Sequence, residues 1–295
     1  MTDHPLVSVV IPTYRRNKEL AKAVESAENQ SYGNIEIIVV NDAPDDEIPE
    51  KISEKSIVTI VQHEENKCGA AARNTGLEEA KGEYIAFLDD DDFFDREKIE
   101  KQVRKMEATD EDCFGCFTWH FFYSSREELA GDEKEVIAED TEDMVYRLLR
   151  GFDIRIGGCT SLLLKKKALE EINGFDKRFP RHQDWELLLR VVEKGEMEVV
   201  DEPLFSKIGY TEPRADKLEK AKRLYLKKFS EKIKSLPKDK ERRIYRDNYS
   251  KLSEAFFRED RNLKGILWFL KALKYTENLS AISYSEWPPR IDNRA

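Results

Sequence analysis

The stretch Tyr84-Ile85-Ala86-Phe87-Leu88-Asp89-Asp90-Asp91-Asp92 decides how the rest of the chain is read. Its first five residues form an unbroken apolar run, the pattern of a strand buried on both faces. Four carboxylates follow at once. Like charges at a strand end repel one another, and burying one without a partner costs several kcal/mol, so a cation is expected beside them. A divalent metal carrying phosphates is the simplest, because Mg2+ and Mn2+ take oxygen ligands, often one or two carboxylates plus a diphosphate. The alternative is a solvated acidic loop in which Asp91 or Asp92 caps a helix over 94–108.

Outward from this run the chain alternates: apolar at 7–11, helical at 17–30, apolar at 35–40 and 57–61, helical at 70–80, then the strand 84–88 and a helix near 96–106. Near-continuous Val and Ile runs between amphipathic helices predict a parallel sheet covered on both faces. Ligands of such sheets sit beyond the carboxyl ends of the strands. Pro12-Thr13-Tyr14, Asn41-Asp42, the loop 64–69 and the run 89–92 occupy those ends.

After an apolar run at 117–123 the alternation breaks. The acidic stretch 126–143 reads as a mobile excursion, followed by a helix over 141–150, an irregular segment over 151–158 and a strand over 160–164. A helix over 166–172 stops at Asn173-Gly174, and a helix over 183–194 precedes a terminal strand over 197–208. Beyond Pro213, Leu218, Ala221, Tyr225, Phe229 and Ile233 recur at helical spacing. Pro237 ends that run. Helices over 242–257 and 262–275 resemble a tetratricopeptide pair, with no second copy at that period. The expected division is an α/β domain over 1–212 and a helical appendage over 213–295.

Composition narrows the class. The chain has 295 residues, 40% hydrophobic and 37% charged, as expected of a rather polar soluble protein. No apolar stretch reaches the roughly 18 residues of a membrane span, and no leader opens the chain, so cytoplasmic residence is expected. Cys68, Cys113, Cys116 and Cys159 are too scattered for a disulfide framework. Cys113 and Cys116 have redox spacing but lead into a strand rather than a helix N-terminus, so buried reduced thiols are expected. Between Arg214 and Arg246 fourteen Lys or Arg stand against five Asp or Glu, a local +9 on a chain whose net charge is −10. Such a segment is either a solvated helix face or a contact for an anionic surface.

Five ordered motifs now come together: the run from Val7 to Arg16 (VSVVIPTYRR), that from Ile37 to Asp42 (IIVVND), that from Gly69 to Gly76 (GAAARNTG), that from Gly82 to Asp92 (GEYIAFLDDDD), and Gly174-Phe175-Asp176 followed by the run from Gln183 to Arg190 (QDWELLLR). In order and spacing they resemble the family 2 glycosyltransferases of the GT-A fold, over about residues 5–210. The resemblance implies an α/β fold with a Rossmann-like, mainly parallel mixed sheet, and transfer of one hexosyl or N-acetylhexosaminyl unit from a nucleotide-diphosphate donor, UDP-sugar favoured, to a glycan or lipid-linked acceptor. It places Pro12, Thr13, Tyr14 and Asp42 around the base and aims Arg73 at the cleft. The family's DXD motif falls on Asp89-Asp90-Asp91. Asp89 then reaches the ribose or a metal-bound water, Asp91 ligates Mn2+ or Mg2+, and Asp90 points to the other face. Asp184 matches the catalytic base, made basic by an apolar wall at Trp185. One base without an enzyme nucleophile implies inversion at the anomeric carbon.

The chain also departs from the pattern. Where many relatives carry a metal-binding histidine after the last strand, Phe205-Ser206-Lys207-Ile208-Gly209-Tyr210 has none, and Lys207 stands available to neutralise phosphate. His182 is read as a surface residue, with a place in the cleft as the alternative. The QXXRW signature of processive synthases is absent, which argues for one sugar per encounter, in assembly of a glycan, glycolipid or cell-surface polysaccharide. The basic segment 214–246 suggests peripheral contact with the inner face of an anionic membrane; a nucleic-acid partner is not expected. Two rival readings remain: a sugar-phosphate nucleotidyltransferase, which would carry a glycine-rich loop after the first strand, and a non-catalytic nucleotide-sugar-binding protein.

Overall fold

The structure, a computed structural model, describes residues 4–123, 135–137, 144–151, 157–209 and 212–276. It divides into two compact units, one formed by Met1–Asp140, Arg155–Arg178 and Gln183–Tyr210, the other by Thr141–Ile154, Phe179–His182 and Thr211–Ala295.

The first unit is built on one mixed sheet. Its strands are β1 (Val7–Thr13), β2 (Ile35–Asn41), β3 (Val58–Gln62), β4 (Tyr84–Phe87), β5 (Phe93–Phe94), β6 (Cys113–Tyr123), β7 (Glu135–Ile137), β8 (Leu163–Lys165) and β9 (Glu196–Ile208). They lie in the order β3-β2-β1-β4-β8-β6-β9-β5, with β7 paired to β6. The four strands predicted from Val and Ile runs are parallel, Val7 registering with both Ile35 and Tyr84. The second half introduces antiparallel pairs at β4/β8, β6/β8 and β5/β9.

Strand alternation decides the layers. Val7, Val9 and Ile11 of β1 join a buried cluster with Leu20, Ala23 and Val24 of helix α1 (Asn17–Glu28) and Ile99, Val103 and Met106 of helix α4 (Lys98–Glu107). Val10 points the other way, toward helix α3 (Cys68–Glu79). There a Cβ on Gly76 would lie 2.3 Å from Val10 Cγ1, so only glycine lets the helix come this close. Asn74 of α3 exchanges two hydrogen bonds with the Phe175 backbone (2.9 and 2.7 Å), and the Phe175 ring meets Phe87 of β4 edge-on at 5.2 Å. The short helix α2 (Glu50–Ser53) fills the β2–β3 connection, and α6 (Lys166–Glu171) and α7 (Gln183–Val192) flank the bend at Asn173-Gly174, both at positive φ.

Two local expectations change. No helix begins at residue 94: Phe93-Phe94 pairs antiparallel with Ser206 and Phe205, and α4 starts at Lys98 behind Glu97, so neither Asp91 nor Asp92 is its cap. The predicted strand over 160–164 is a 3-10 turn at Cys159–Ser161 followed by β8, because the Thr160 hydroxyl is drawn to Asp92 and to the Asp89 amide. Cys113 and Cys116 are buried and unbridged in β6, as expected, and burial pushes the Cys116 thiol up to about 12, the reverse of a reactive thiol. The excursion 126–143 falls outside the described residues except for β7, and the segment 151–158 falls outside them except at its ends.

The second unit is helical: α5 (Met144–Arg150), α8 (Ala215–Lys228), α9 (Ser230–Ser235), α10 (Lys238–Arg258) and α11 (Asn262–Leu273). The apolar stripe expected as one helix is broken at Phe229, which caps α8 and α9 and packs its ring on Tyr225 at 5.0 Å. Pro237 opens α10, as its fixed φ favours. Asn248 of α10 donates to the carbonyls of Leu149 and Arg150, closing the C-terminal end of α5, and Asp247 pairs with Arg150 at 2.6 Å. Leu252, Ala255 and Phe256 of α10 with Trp268 of α11 form this unit's core.

The α3–β1 contact makes a direct test. Gly76→Ala should lower stability by about 1–3 kcal/mol through overpacking against Val10, whereas Gly33→Ala, with open space around it, should change it little. Urea denaturation of both variants checks the pair.

Candidate active site

The carboxyl ends of β1, β2 and β4 bring the motif residues together. β4 ends at Phe87, and Leu88, fully buried, leads into the acidic run. The four carboxylates then fan out to different partners. Asp89 accepts from Arg73 Nη2 at 2.5 Å. Asp90, buried, accepts from the Thr13 hydroxyl at 2.8 Å and from Arg16 at 3.0 Å. Asp91 accepts from Arg16 at 2.5 Å. Asp92, fully buried, accepts from Thr160 at 2.7 Å and from Lys207 of β9 at 3.4 Å. Three protein cations thus answer the repulsion, for which the sequence points to a divalent metal as the simplest cation.

Burial and pairing set each proton affinity. Burial would raise the Asp89 carboxyl, but the Arg73 guanidinium, Lys207 and Arg16 outweigh it and hold it below the usual range. Asp90 is pushed up to about 6 by burial, against Thr13 and Arg16. Asp92 is pushed up to about 7 by burial, opposed by Lys207 and helped by the negative charge of Asp89. Burial works against the charge on Lys207, yet Asp92, Asp89 and Asp91 together raise its affinity for the proton.

Asp184, the first-turn residue of α7, faces the same place. A Cβ built on Gly158 would lie 3.7 Å from Asp184 Oδ2 and 4.0 Å from both Asp89 Oδ2 and Lys207 Nζ. A base-like carboxylate, the first residue of the acidic run and a lysine therefore surround a glycine held at φ +82°. Burial raises the Asp184 carboxyl; the Trp185 amide and Arg73 pull the other way, and Asp89 adds to the rise. The Trp185 backbone N–H donates to this carboxylate and favours its charged form, against the burial that raises it. Arg73 also holds Gln183 Oε1 at 3.0 Å and lies over the Phe175 ring at 5.7 Å, tying α3, β4 and α7 to one guanidinium.

Asp42 follows β2 and is buried. Its Oδ1 accepts from His63 Nδ1 and from the Lys67 amide, each at 2.8 Å, and His63 Nε2 pairs with the Thr75 hydroxyl at 2.9 Å. Tyr14 is exposed, with Arg15 over its ring, and Pro12, the penultimate residue of β1, is half-buried. A depression of about 390 Å3 lined by Arg15, Arg16, Asn17, Asp45 and Asp46 opens beside them.

His63, Arg16 and Thr160 had no role assigned from the sequence. His63 directly follows the last residue of β3, so the strand-end rule would have found it; Thr160 had no signal, because its partner lies 68 positions away. His182 is half-buried rather than at the surface, and burial beside Lys222 and Arg181 keeps its imidazole neutral.

Whether the residues suit a divalent cation can be judged from the donor set. Among the described residues no group of three or more His, Cys, Asp or Glu side chains forms a ready cation cage. Asp89 and Asp91 offer carboxylate oxygens with side chains 25% and 35% exposed, and Asp92 keeps one buried oxygen without a hydrogen-bond partner. Two hard oxygen ligands with the rest left to phosphate and water suit Mg2+ or Mn2+. The residues fit.

Comparison with known proteins places the sequence and the fold. The sequence model described as glycosyl transferase family 2 matches residues 8–172. An uncharacterized glycosyltransferase of Haemophilus influenzae is 26% identical over 211 residues, 70% of this chain and 66% of that protein; the match takes in only 28% of a longer relative from Rickettsia bellii. The Escherichia coli protein WfaP, a UDP-Glc:alpha-D-GlcNAc-diphosphoundecaprenol beta-1,3-glucosyltransferase, is 32% identical over 64% of this chain and 71% of its own length. Among solved structures, residues 1–349 of Staphylococcus aureus TarS in complex with UDP-GlcNAc superpose with TM-score 0.57 at 14% identity over 91% of this chain and 92% of theirs. The mannosyltransferase PcManGT from Pyrobaculum calidifontis, in complex with GDP-Man and Mn2+, gives TM-score 0.57 at 17% identity over 95% of this chain and 78% of its own. These likenesses bear out the GT-A fold.

The Arg73–Asp89 pair generates a stability prediction with a defined pH dependence. Asp89 is held below its ordinary value, so its contribution is present above the unfolded value and is lost as pH falls through the lower folded one. Arg73→Gln should therefore cost about 3 kcal/mol at pH 7, with the gap to wild type closing only in the acid range below about 4. Chemical denaturation at both pH values measures it.

Proposed function

The chain belongs to glycosyl transferase family 2, and from that premise we propose that it is an inverting, metal-dependent glycosyltransferase that moves one sugar from a nucleotide-diphosphate donor to an acceptor hydroxyl. The observation that carries the reading is the convergence of Asp89, Asp184 and Lys207 around Gly158, at the carboxyl edge of the sheet.

In this reading each residue has a task set by its surroundings. The Asp42 carboxylate, fixed by His63 and the Lys67 amide, accepts a hydrogen bond from the base, and the exposed Tyr14 ring borders it with Pro12 and Thr13. A uracil-like imide suits such an acceptor, so a UDP-sugar is favoured. Arg73 and Asp90 hold the donor end of the site in shape, Arg73 through Asp89 and Gln183, and Asp90 through Thr13 and Arg16. Mn2+ or Mg2+ would be held by Asp89 and Asp91 and would supply Lewis-acid stabilisation of charge on the departing nucleoside diphosphate. Lys207, already charged by its carboxylate neighbours, places a second positive centre beside the phosphates. Asp184 takes the proton from the acceptor hydroxyl, and burial, which raises its proton affinity, makes it a better base than a solvent-exposed aspartate. With one base and no nucleophile assigned to the protein, displacement is direct and inverts the anomeric carbon.

For the acceptor, the name of WfaP supports a lipid-linked diphosphate glycan. Contact of the basic segment 214–246 with an anionic membrane suits such a substrate, since each cation near the surface contributes about 1 kcal/mol at low salt. The rival of a non-catalytic donor-binding protein makes a different forecast for the first of the following variants.

Asp184→Asn should retain nucleoside-diphosphate binding in calorimetry and lose roughly 10² or more in turnover. In the parent the acid limb of turnover should lie above the 3.8 of an ordinary aspartate, because the carboxylate forms only as pH rises through a raised value. Undiminished turnover in the variant removes Asp184 from the role. Asp91→Ala, or EDTA, should abolish transfer while the melting temperature holds, since Asp91 stands outside the buried cluster; full turnover in metal-free buffer would discard the metal.

A further inference from the structure

Six large apolar side chains are prominently exposed among the described residues, and four of them, Leu263, Ile266, Leu267 and Leu270, belong to α11. Their spacing of three, four and seven puts them on one face of the helix. Gly265, Trp268 and Ala272 occupy the opposite face and are buried, Trp268 against Tyr249 of α10 at 5.3 Å and Gly265 against the Phe257 ring. The outward stripe is therefore not the core face of α11 turned slightly outward. Leu263 is 88% exposed and the other three are about half exposed, at 47%, 50% and 53%.

The charges that the helix itself carries are of one sign. From Arg261 to Lys274 the sequence holds Arg261, Lys264, Lys271 and Lys274 and no Asp or Glu. Arg261 and Lys264 are held by Asp216, Glu219 and Glu259. Lys271 lies over the Trp268 ring at 4.0 Å, and Lys274, exposed, continues the stripe one turn beyond Leu270. Four side chains cannot supply the ~800 Å2 per partner of a stable protein interface, and a second copy would bring the same cations toward each other. A row of leucines ending in lysines is instead matched by a bilayer surface, where the side chains enter the acyl boundary and the ammonium groups stay among the phosphates.

We propose that α11 is a membrane-insertion helix, its Leu263–Ile266–Leu267–Leu270 stripe lying in the interface of an anionic lipid bilayer with Lys271 and Lys274 at headgroup level. This adds an apolar anchor to the electrostatic contact of the segment 214–246, and the two signals together give a firmer hold than either one. It deepens the lipid-linked acceptor reading and rests on it for the presence of a bilayer. Vesicle binding needs neither donor nor turnover, so the two fail separately.

The test uses the full chain with phosphatidylcholine vesicles, with and without phosphatidylglycerol. Wild type should co-sediment with the anionic vesicles and keep part of that binding at high salt. Leu263→Ser with Leu267→Ser, and separately Leu267→Glu, should reduce partitioning by about tenfold or more with unchanged circular dichroism. Leu267→Trp should show a blue-shifted emission on adding vesicles, relative to wild type. Asp184→Asn should bind vesicles as wild type does, whether or not transfer is observed. Equal partitioning of stripe variants and wild type, or no shift in Leu267→Trp, overturns the proposal. So does a wild-type dimer in sedimentation velocity that Leu267→Glu dissolves, or vesicle binding that appears only when residues 277–295 are removed.

Discussion

The structure of the first unit turns on how four consecutive carboxylates are held at the end of a fully buried strand. Desolvation alone would drive them to protonate or swing outward. Instead partners reach them from several elements: Arg73 from α3, Thr13 at the end of β1 and Arg16 just beyond it, Thr160 from the 3-10 turn and Lys207 from β9. The arrangement fastens both halves of the sheet to one point. It also leaves the four unequal. Asp89 stays charged, while Asp90 and Asp92 are pushed toward neutral pH, so a run that looks uniform in sequence is chemically graded.

That gradation explains why the fold was more legible than the site. β1 through β4 could be read because unbroken Val and Ile runs admit few alternatives, and the spacing of the motifs fixed their order. The pairing of β6, β8 and β9 could not, since it depends on the turn at Gly158 to Ser161, whose geometry comes from a hydroxyl bonding to Asp92 far away in sequence. The short β5 was hidden for a similar reason: Phe93-Phe94 has no strand pattern of its own and is extended because β9 offers it an edge.

Within the site, residues at strand ends were legible and their partners were not. Asp42 and Asp89 stand where periodicity puts the carboxyl edge of a parallel sheet. His63 stands there too, yet its pairing with Asp42 needs the β2–β3 register, which brings Asn41 opposite Gln62. The missing histidine near the end of β9 was visible as an absence. What replaces it could be inferred only in part, because the role of Lys207 depends on the fully buried Asp92 beside it.

A lysine at that place changes how cation binding and protein charge relate. Where a neutral imidazole would add a ligand, Lys207 adds a fixed positive charge that both lowers Asp89 and opposes the protonation of Asp92. On the proposed reading a divalent ion would meet a site already part-neutralised by Arg16, Arg73 and Lys207, and the phosphates of the donor would contribute the negative charge that makes its entry favourable. Metal and donor would then bind most favourably together, each being repelled or under-coordinated alone.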